Sequence, residues 1–270
     1  MELVSDQTTP TAPGTVSQAD DGTHAAYVLG LADDALVYAQ RLGEWITWAP
    51  VLEEDMALAN VSLDYIGQTR PLLTRVGELD GTGRSEDELA YFRAEQQFRN
   101  VHLVEAPRGH FGREMARMLW FSAYQRELYA ALAGSADETL RGVAAKAGKE
   151  VRYHFDHAAQ WVVRLGDGTD ESHEKMQDGL VWVAPYVDEL FDDDPASVAA
   201  AETGVGVLPS TLRAATTAAV EQVLAEATLE PAAQPRWRSR GGRAGTHSEH
   251  LGYLLAEMQH IARQFPGASW

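Results

Sequence analysis

Residues 51–77 read VLEEDMALANVSLDYIGQTRPLLTRVG, and this stretch decides the fold. Leu52, Met56, Ala59, Leu63, Ile66 and Leu73 recur at helical spacing and make one apolar stripe. Val51, Leu58, Tyr65 and Leu72 make a second apolar face, so the segment reads as a helix at the centre of a bundle. Pro71 is expected to bend it or mark a break, because proline has no N–H for the helical ladder.

The same period extends in both directions. Val28, Leu31, Ala35, Tyr38, Leu42 and Trp45 define a preceding helix that Pro50 punctuates. After the Gly81–Gly83 turn a shorter helix is expected over 85–100. A stripe of Phe111, Met115, Met118, Ser122, Gln125, Tyr129 and Leu132 follows, then one of Val143, Ala147, Val151, His154, Ala158, Trp161 and Leu165. Met176, Leu180, Val183, Val187 and Leu190 define a further helix, with Pro185 as a candidate kink. Two more are expected near 209–228 and 246–264, around a loop rich in Arg and Gly. No segment alternates as a strand would, so the fold class is all-α, a long-helix bundle with additional C-terminal helices. Residues 1–24, rich in Thr, Ser, Pro, Asp and Gln and without periodicity, are expected to be a disordered tail ahead of a single domain over 25–270.

Composition narrows the function. A formal net charge of −18 opposes general nucleic-acid binding, because phosphate would be repelled. With no Cys there is no disulfide, thiolate ligand or cysteine nucleophile, which fits a reducing compartment. No secretory signal or long apolar run appears, so a soluble cytoplasmic protein is expected.

Long antiparallel helices are the scaffold on which di-iron carboxylate sites are built, with a Glu from each of two helices and a Glu-x-x-His from each of two others. The three-residue spacing places both ligands on one helix face. Here the matching places hold Asp64-Tyr-Ile-Gly67 and Glu150-Val-Arg-Tyr153, so Gly67 and Tyr153 stand where imidazoles are needed. Asp33 on the first helix is the third available carboxylate, and the third long helix offers Ser122 and Gln125. That set is too poor in donors for two iron ions. His154 could complete an off-pattern site with Asp33, Asp64 and Glu150, the arrangement of a self-sufficient di-iron oxygenase or ferroxidase. The plainer reading is a core histidine bonded to a neighbouring carboxylate. Buried without metal, Asp64 and Glu150 need partners, for which Arg41, Arg70, Lys146 and Arg152 are the candidates.

Other features read both ways. Glu257 and His260 make a Glu-x-x-His pair near His247, Glu249 and His250, a spacing that a solvated helix face also produces. Arg236, Arg238, Arg240 and Arg243 surround Trp237, and they either pair with local acids or contact an anion or partner. The small residues from Ala196 to Ala201 read as a loop, or as a place where a ligand approaches the backbone.

The stretches Gln40–Ile46 (QRLGEWI), Asp55–Arg70 (DMALANVSLDYIGQTR), Lys149–Phe155 (KEVRYHF), Leu165–His173 (LGDGTDESH) and His247–Gln259 (HSEHLGYLLAEMQ), with Pro266, Gly267 and Trp270, carry a resemblance. Over about residues 25–270 the chain resembles the PaaC family, the C component of the ring 1,2-phenylacetyl-CoA epoxidase. The resemblance implies a ferritin-like fold and a cytoplasmic role in aerobic phenylacetate degradation. It implies a non-catalytic partner for the epoxidase's catalytic A component, which carries the di-iron centre and binds the CoA thioester, with a B component joining the assembly. No cofactor is then expected in this chain, nor any membrane or nucleic-acid partner. It further implies that Val198, Ala199 and Ala200 lie near the CoA region of the assembly.

Overall fold

A computed structural model describes residues 18–268. Most of the expected tail over 1–24, and Trp270, lie outside the described residues. The part of that tail from residue 18 onward is helical instead, because α1 spans Gln18–Gly43.

The helices α1 and α2 (Leu52–Leu79) form one antiparallel hairpin, joined by the turn 44–51. Short α3 (Glu86–Tyr91) starts in a reciprocal Ser85–Glu88 cap, and α4 (His102–Glu105) is a single turn. The helices α5 (Phe111–Leu132) and α6 (Glu138–Gly166) form the second long hairpin. Asp137 opens α6 by accepting the Leu140 N–H at 3.0 Å, and the same carboxylate takes Arg75 of α2 at 2.9 Å. The two hairpins meet through α1, α2, α5 and α6 around one core containing Tyr38, Leu58, Tyr65, Phe121, Val151 and Ala158. Around it lie α7 (Asp170–Val187), α8 (Pro195–Glu202), α9 (Arg213–Glu226) and α10 (Glu249–Gln264). No strand occurs among the described residues, and no helix there is long and apolar enough to cross a membrane.

Three expectations are corrected. Pro71 marks no break, since it lies inside a continuous α2, and Pro185 likewise lies inside α7. The helix expected over 85–100 is α3 followed by a single 3-10 turn, with the irregular residues 92–94 between them. The small-residue segment read as a loop is α8: Asp194 accepts the Ala196 N–H at 2.9 Å, Pro195 presets the first helical φ, and alanines follow.

The fourth correction concerns α2. Leu58, Tyr65 and Leu72 are buried, but Leu52, Met56 and Leu63 are exposed. The helix is central on one side only. The start of its other stripe is exposed together with Ile46, Trp48 and Val51 of the preceding turn, whereas further along Ile66 packs against the core and Leu73 is buried in it.

Candidate functional site: a bundle centre without a metal-ligand set

The expected site divides into separate polar pairings. On α1, Asp33 is fully buried and fixed by Arg93, whose Nη1 donates to it at 2.9 Å, and by the Arg99 N–H at 2.8 Å. Arg93 in turn lies 4.1 Å from the centroid of the Phe98 ring. This carboxylate serves the segment after α3 and not the α2–α6 centre.

At the centre, Asp64 receives the His154 Nε2 at 3.0 Å. A carboxylate accepts, so Nε2 carries the proton, and Nδ1 is buried with no protein partner. Burial pulls the His154 pKa below the ordinary imidazole value, although Asp64 opposes the shift. The ring is therefore neutral near pH 7, the core histidine of the plainer reading. Glu150 accepts the Gln68 amide at 3.3 Å and has the Lys146 ammonium 3.5 Å away. Gln68 accepts the Tyr129 hydroxyl at 2.9 Å, and Gln125 accepts the Tyr65 hydroxyl at 2.8 Å. Burial raises the pKa of both tyrosines, which keeps them protonated as donors. Of the other proposed counter-ions, Arg41 is engaged with Glu44 and the Glu105 carbonyl, Arg70 with Glu86, and Arg152 is exposed.

Whether this centre fits a pair of irons is decided by its donors. Gly67 has no side chain, and the Lys146 Nζ sits 3.2 Å from where its Cβ would be, so a cation already borders that position. Tyr153, expected to face inward in place of an imidazole, is 55% exposed and stacks on His157. The buried stripe of α6 runs through Ala147, Val151, His154 and Ala158, which turns residue 153 to the outside. Ser122 donates to its own helix, at the Met118 carbonyl. Among the described residues no three His, Cys, Asp or Glu side chains converge on a point that could hold a metal. The residues do not fit a di-iron centre, and the four-residue set Asp33, Asp64, Glu150 and His154 is not brought together.

Two polar clusters escaped the sequence reading. Glu114 on α5 is buried and accepts the Tyr38 hydroxyl at 2.9 Å and the Trp45 indole N–H at 3.0 Å, with Arg117 at 3.6 Å. It lies one residue before Met115, and the stripe counted through Phe111 and Met115 passed over it. The second cluster joins segments far apart in sequence. Glu105 accepts His247 Nδ1 at 2.8 Å and the Ser248 N–H at 2.7 Å, while Glu189 accepts His102 Nδ1 and the Gly242 N–H, both at 2.9 Å. Burial raises both carboxyls, but for Glu105 the bonds from His247 and Ser248, and for Glu189 those from His102 and Gly242, outweigh it and hold them below the usual range. His247 is thus a structural residue, whereas Glu257 and His260 are exposed on α10.

The arginine cluster does not act as one surface. Arg243 is drawn inside, where its Nη2 donates to Asp34 at 2.6 Å and its Nη1 to the Gly30 and Arg99 carbonyls. Arg238 pairs with Asp188, while Arg236 and Arg240 are exposed along the same loop. Of the segment expected near CoA, Ala200 is buried against Gly206, Ala199 is partly buried, and Val198 is exposed.

Comparison with known proteins adds two findings. The family model described as "Phenylacetic acid catabolic protein" matches residues 9–270, beginning ahead of the stretches that carry the resemblance. The chain is also similar to the C component of 1,2-phenylacetyl-CoA epoxidase from Escherichia coli (strain K12), with 46% identity over 245 residues, 91% of this chain and 98% of that protein.

Proposed function

The chain belongs to the phenylacetic acid catabolic protein family, and from that premise we propose that it is the non-catalytic structural component of a cytoplasmic, multicomponent 1,2-phenylacetyl-CoA epoxidase. In that assembly it pairs with and stabilises the catalytic A component, with the B component as a further member. The di-iron centre belongs to the catalytic component and supplies the oxygen chemistry that converts the aromatic ring of phenylacetyl-CoA to its epoxide. This chain's own residues do something else. They replace metal ligands by internal pairs, Asp64 with His154 and Gln68 with Glu150, that hold α2 against α6, while Lys146 pairs with Glu150 along α6 itself. Of the segment near α8, Val198 is the side chain free to meet the CoA thioester.

The observation that carries this reading is the donor set itself: glycine and an outward tyrosine at the imidazole positions, and every central carboxylate already committed to a protein partner. The exposed stripe of Leu52, Met56 and Leu63 supports it, because a monomer seldom leaves a long helix face of this kind uncovered. The test mixes the purified chain with the catalytic component and follows epoxidation of phenylacetyl-CoA. A rise over the catalytic component alone is expected, together with iron that fractionates with that component. Iron near two per chain in this protein alone, lost with activity in Glu150→Ala, would overturn the reading in favour of a self-sufficient oxygenase.

A further inference from the structure

Trp48 is 67% exposed, and the turn it occupies is held rigidly. The Asp55 carboxylate accepts the Thr47 N–H at 2.9 Å and the Ala49 N–H at 3.3 Å, and the Trp48 N–H bonds to the Trp45 carbonyl at 2.8 Å. Arg108 lies 4.3 Å from the Trp48 ring centroid while donating to the Glu44 carbonyl at 2.7 Å. Thr47 is held at φ +72°, in the left-handed region that a β-branched residue avoids. Such a conformation persists only where its surroundings enforce it, and it marks segments shaped for a function. Ile46, Val51, Leu52 and Met56 expose their side chains beside it. A rigid, central tryptophan among apolar neighbours is the make-up of a binding hot spot, and its ordering cost falls on folding and not on association.

Charge identifies what covers it. Residues 44–68 contain no Lys or Arg; Glu53 is exposed there and Glu44, Asp55 and Asp64 partly so, whereas Glu54 is buried against His157. Of the nearby cations, Arg108 is turned onto Trp48 and Arg41 is buried against Glu44. A second copy of this chain would set one acidic rim against another on a protein of net charge −18, which like-charge repulsion opposes. We infer that Trp48 is the anchor of a heterologous protein interface and seats in an apolar cleft edged by lysine and arginine on the partner protein. The inference rests on the assembly reading above and specifies the contact it needs.

The test measures affinity for the purified catalytic component by biolayer interferometry. Trp48→Ala is expected to weaken binding roughly thirtyfold or more, the size of a hot-spot loss. Asp55→Ala keeps the tryptophan but frees the turn, and is expected to weaken binding several-fold. Tyr253→Ala, an equally exposed aromatic on α10, is expected to stay within twofold of wild type. Binding of the wild type is expected to weaken between about 50 and 500 mM salt. Circular dichroism checks each fold, and Leu52→Ala gives a second probe of the patch should Trp48→Ala unfold. A wild-type complex whose affinity is unchanged by Trp48→Ala and Leu52→Ala overturns the anchor and leaves the assembly reading standing. An unchanged Asp55→Ala affinity overturns the preorganised turn. No complex with wild type overturns both readings. A homodimer lost in Trp48→Ala overturns the cation-edged partner.

Discussion

Replacing Arg243 by methionine removes the partner of a carboxylate that has no other cation bonded to it among the described residues. Asp34 is buried in α1, and Arg243 reaches it with two N–H groups, at 3.0 and 2.6 Å, from a loop more than two hundred residues away in sequence. Only the Val101 N–H, at 2.9 Å, remains to Asp34 after the substitution. The same guanidinium also caps the Gly30 and Arg99 carbonyls, which would lose those bonds. Breaking one side of a buried ion pair costs about 3–5 kcal/mol, because the surviving charge stays desolvated. At roughly 2–4 °C per kcal/mol for a chain of this size, the melting temperature should fall by about 6–20 °C.

The dependence on pH gives the deficit a signature. Burial already raises the Asp34 pKa above the ordinary carboxylate value, although Arg243 and then the Val101 N–H pull it down. Without Arg243 that pKa rises further. A carboxyl whose folded pKa is raised is favoured in its neutral form, so the penalty is small at low pH and grows as pH rises through the folded pKa. The gap between wild type and Arg243→Met should therefore be smaller near pH 5 than near pH 8 in thermal melts followed by circular dichroism. The double variant Asp34→Leu with Arg243→Met should recover part of the loss, as apolar replacements of buried pairs do. A melting temperature within about 2 °C of wild type at pH 8, or a gap that widens on acidification, refutes the reasoning.

The Glu189–His102 pair should shape both limbs of the stability profile. Glu189 sits below the ordinary carboxylate value, so its contribution disappears as pH falls through the folded pKa. Burial alone would lower His102, but the bond and charge of Glu189, and then the charge of Glu105, outweigh it and raise the imidazole above its ordinary value. Its contribution therefore disappears as pH rises through the folded value. Glu189→Gln should cost most between these limits, and equal losses at pH 3 and pH 6 in urea titrations would contradict this. Gly179→Ala would place a Cβ 2.5 Å from the Gly112 carbonyl at the α5–α7 crossing. Overpacking of about 1–3 kcal/mol should exceed the roughly 1 kcal/mol gained in helix propensity, whereas Gly148→Ala, with nothing within 4 Å, should stabilise. Urea midpoints shifting in the same direction for both would show the contact to be soft. Restoring the imidazoles with Gly67→His and Tyr153→His should still give no two-iron protein by elemental analysis, because residue 153 faces outward and Lys146 borders residue 67.

The long helices were readable because each carries an apolar stripe with the helical period, and period alone sets their class. What the period could not reveal was whether a stripe is covered by this chain or by another. Leu52, Met56 and Leu63 follow the helical period as Leu58, Tyr65 and Leu72 do, yet only the second set is buried. Hydrophobicity is the same in both cases, and the difference lies in which neighbour arrives. Register failed in a similar way at Glu150. Tyr153 and His154 follow it by three and four residues, both allowed on one helix face, and only the packing of α6 turns the histidine inward. Glu114 was lost to the same one-residue ambiguity. The sequence reading singles out Asp33 as a ligand candidate and not its neighbour Asp34, yet both are buried and each binds an arginine from a different distant segment. Long-range pairing of this kind leaves no local pattern. The segment at α8 is a different case, because the Asp194-Pro195 start is a recognisable helix signal that its small side chains obscured.

These failures share a cause that bears on function. A catalytic di-iron bundle spends its inward carboxylates on metal, so its helices are joined through ions at the centre. Here the polar groups that cross between helices are joined pairwise instead: Asp33 to Arg93, Asp34 to Arg243, Asp64 to His154, Glu114 to Tyr38 and Trp45. Each pair fixes two segments whatever the occupancy of a metal site, which gives a scaffold whose shape does not depend on loading with iron. The proposed structural role would call for that independence, since a docking face has to be formed before its partner arrives. The Thr47–Asp55 turn meets the same requirement at the surface. The interior pairs and the surface turn thus both rest on bonds among this chain's own groups.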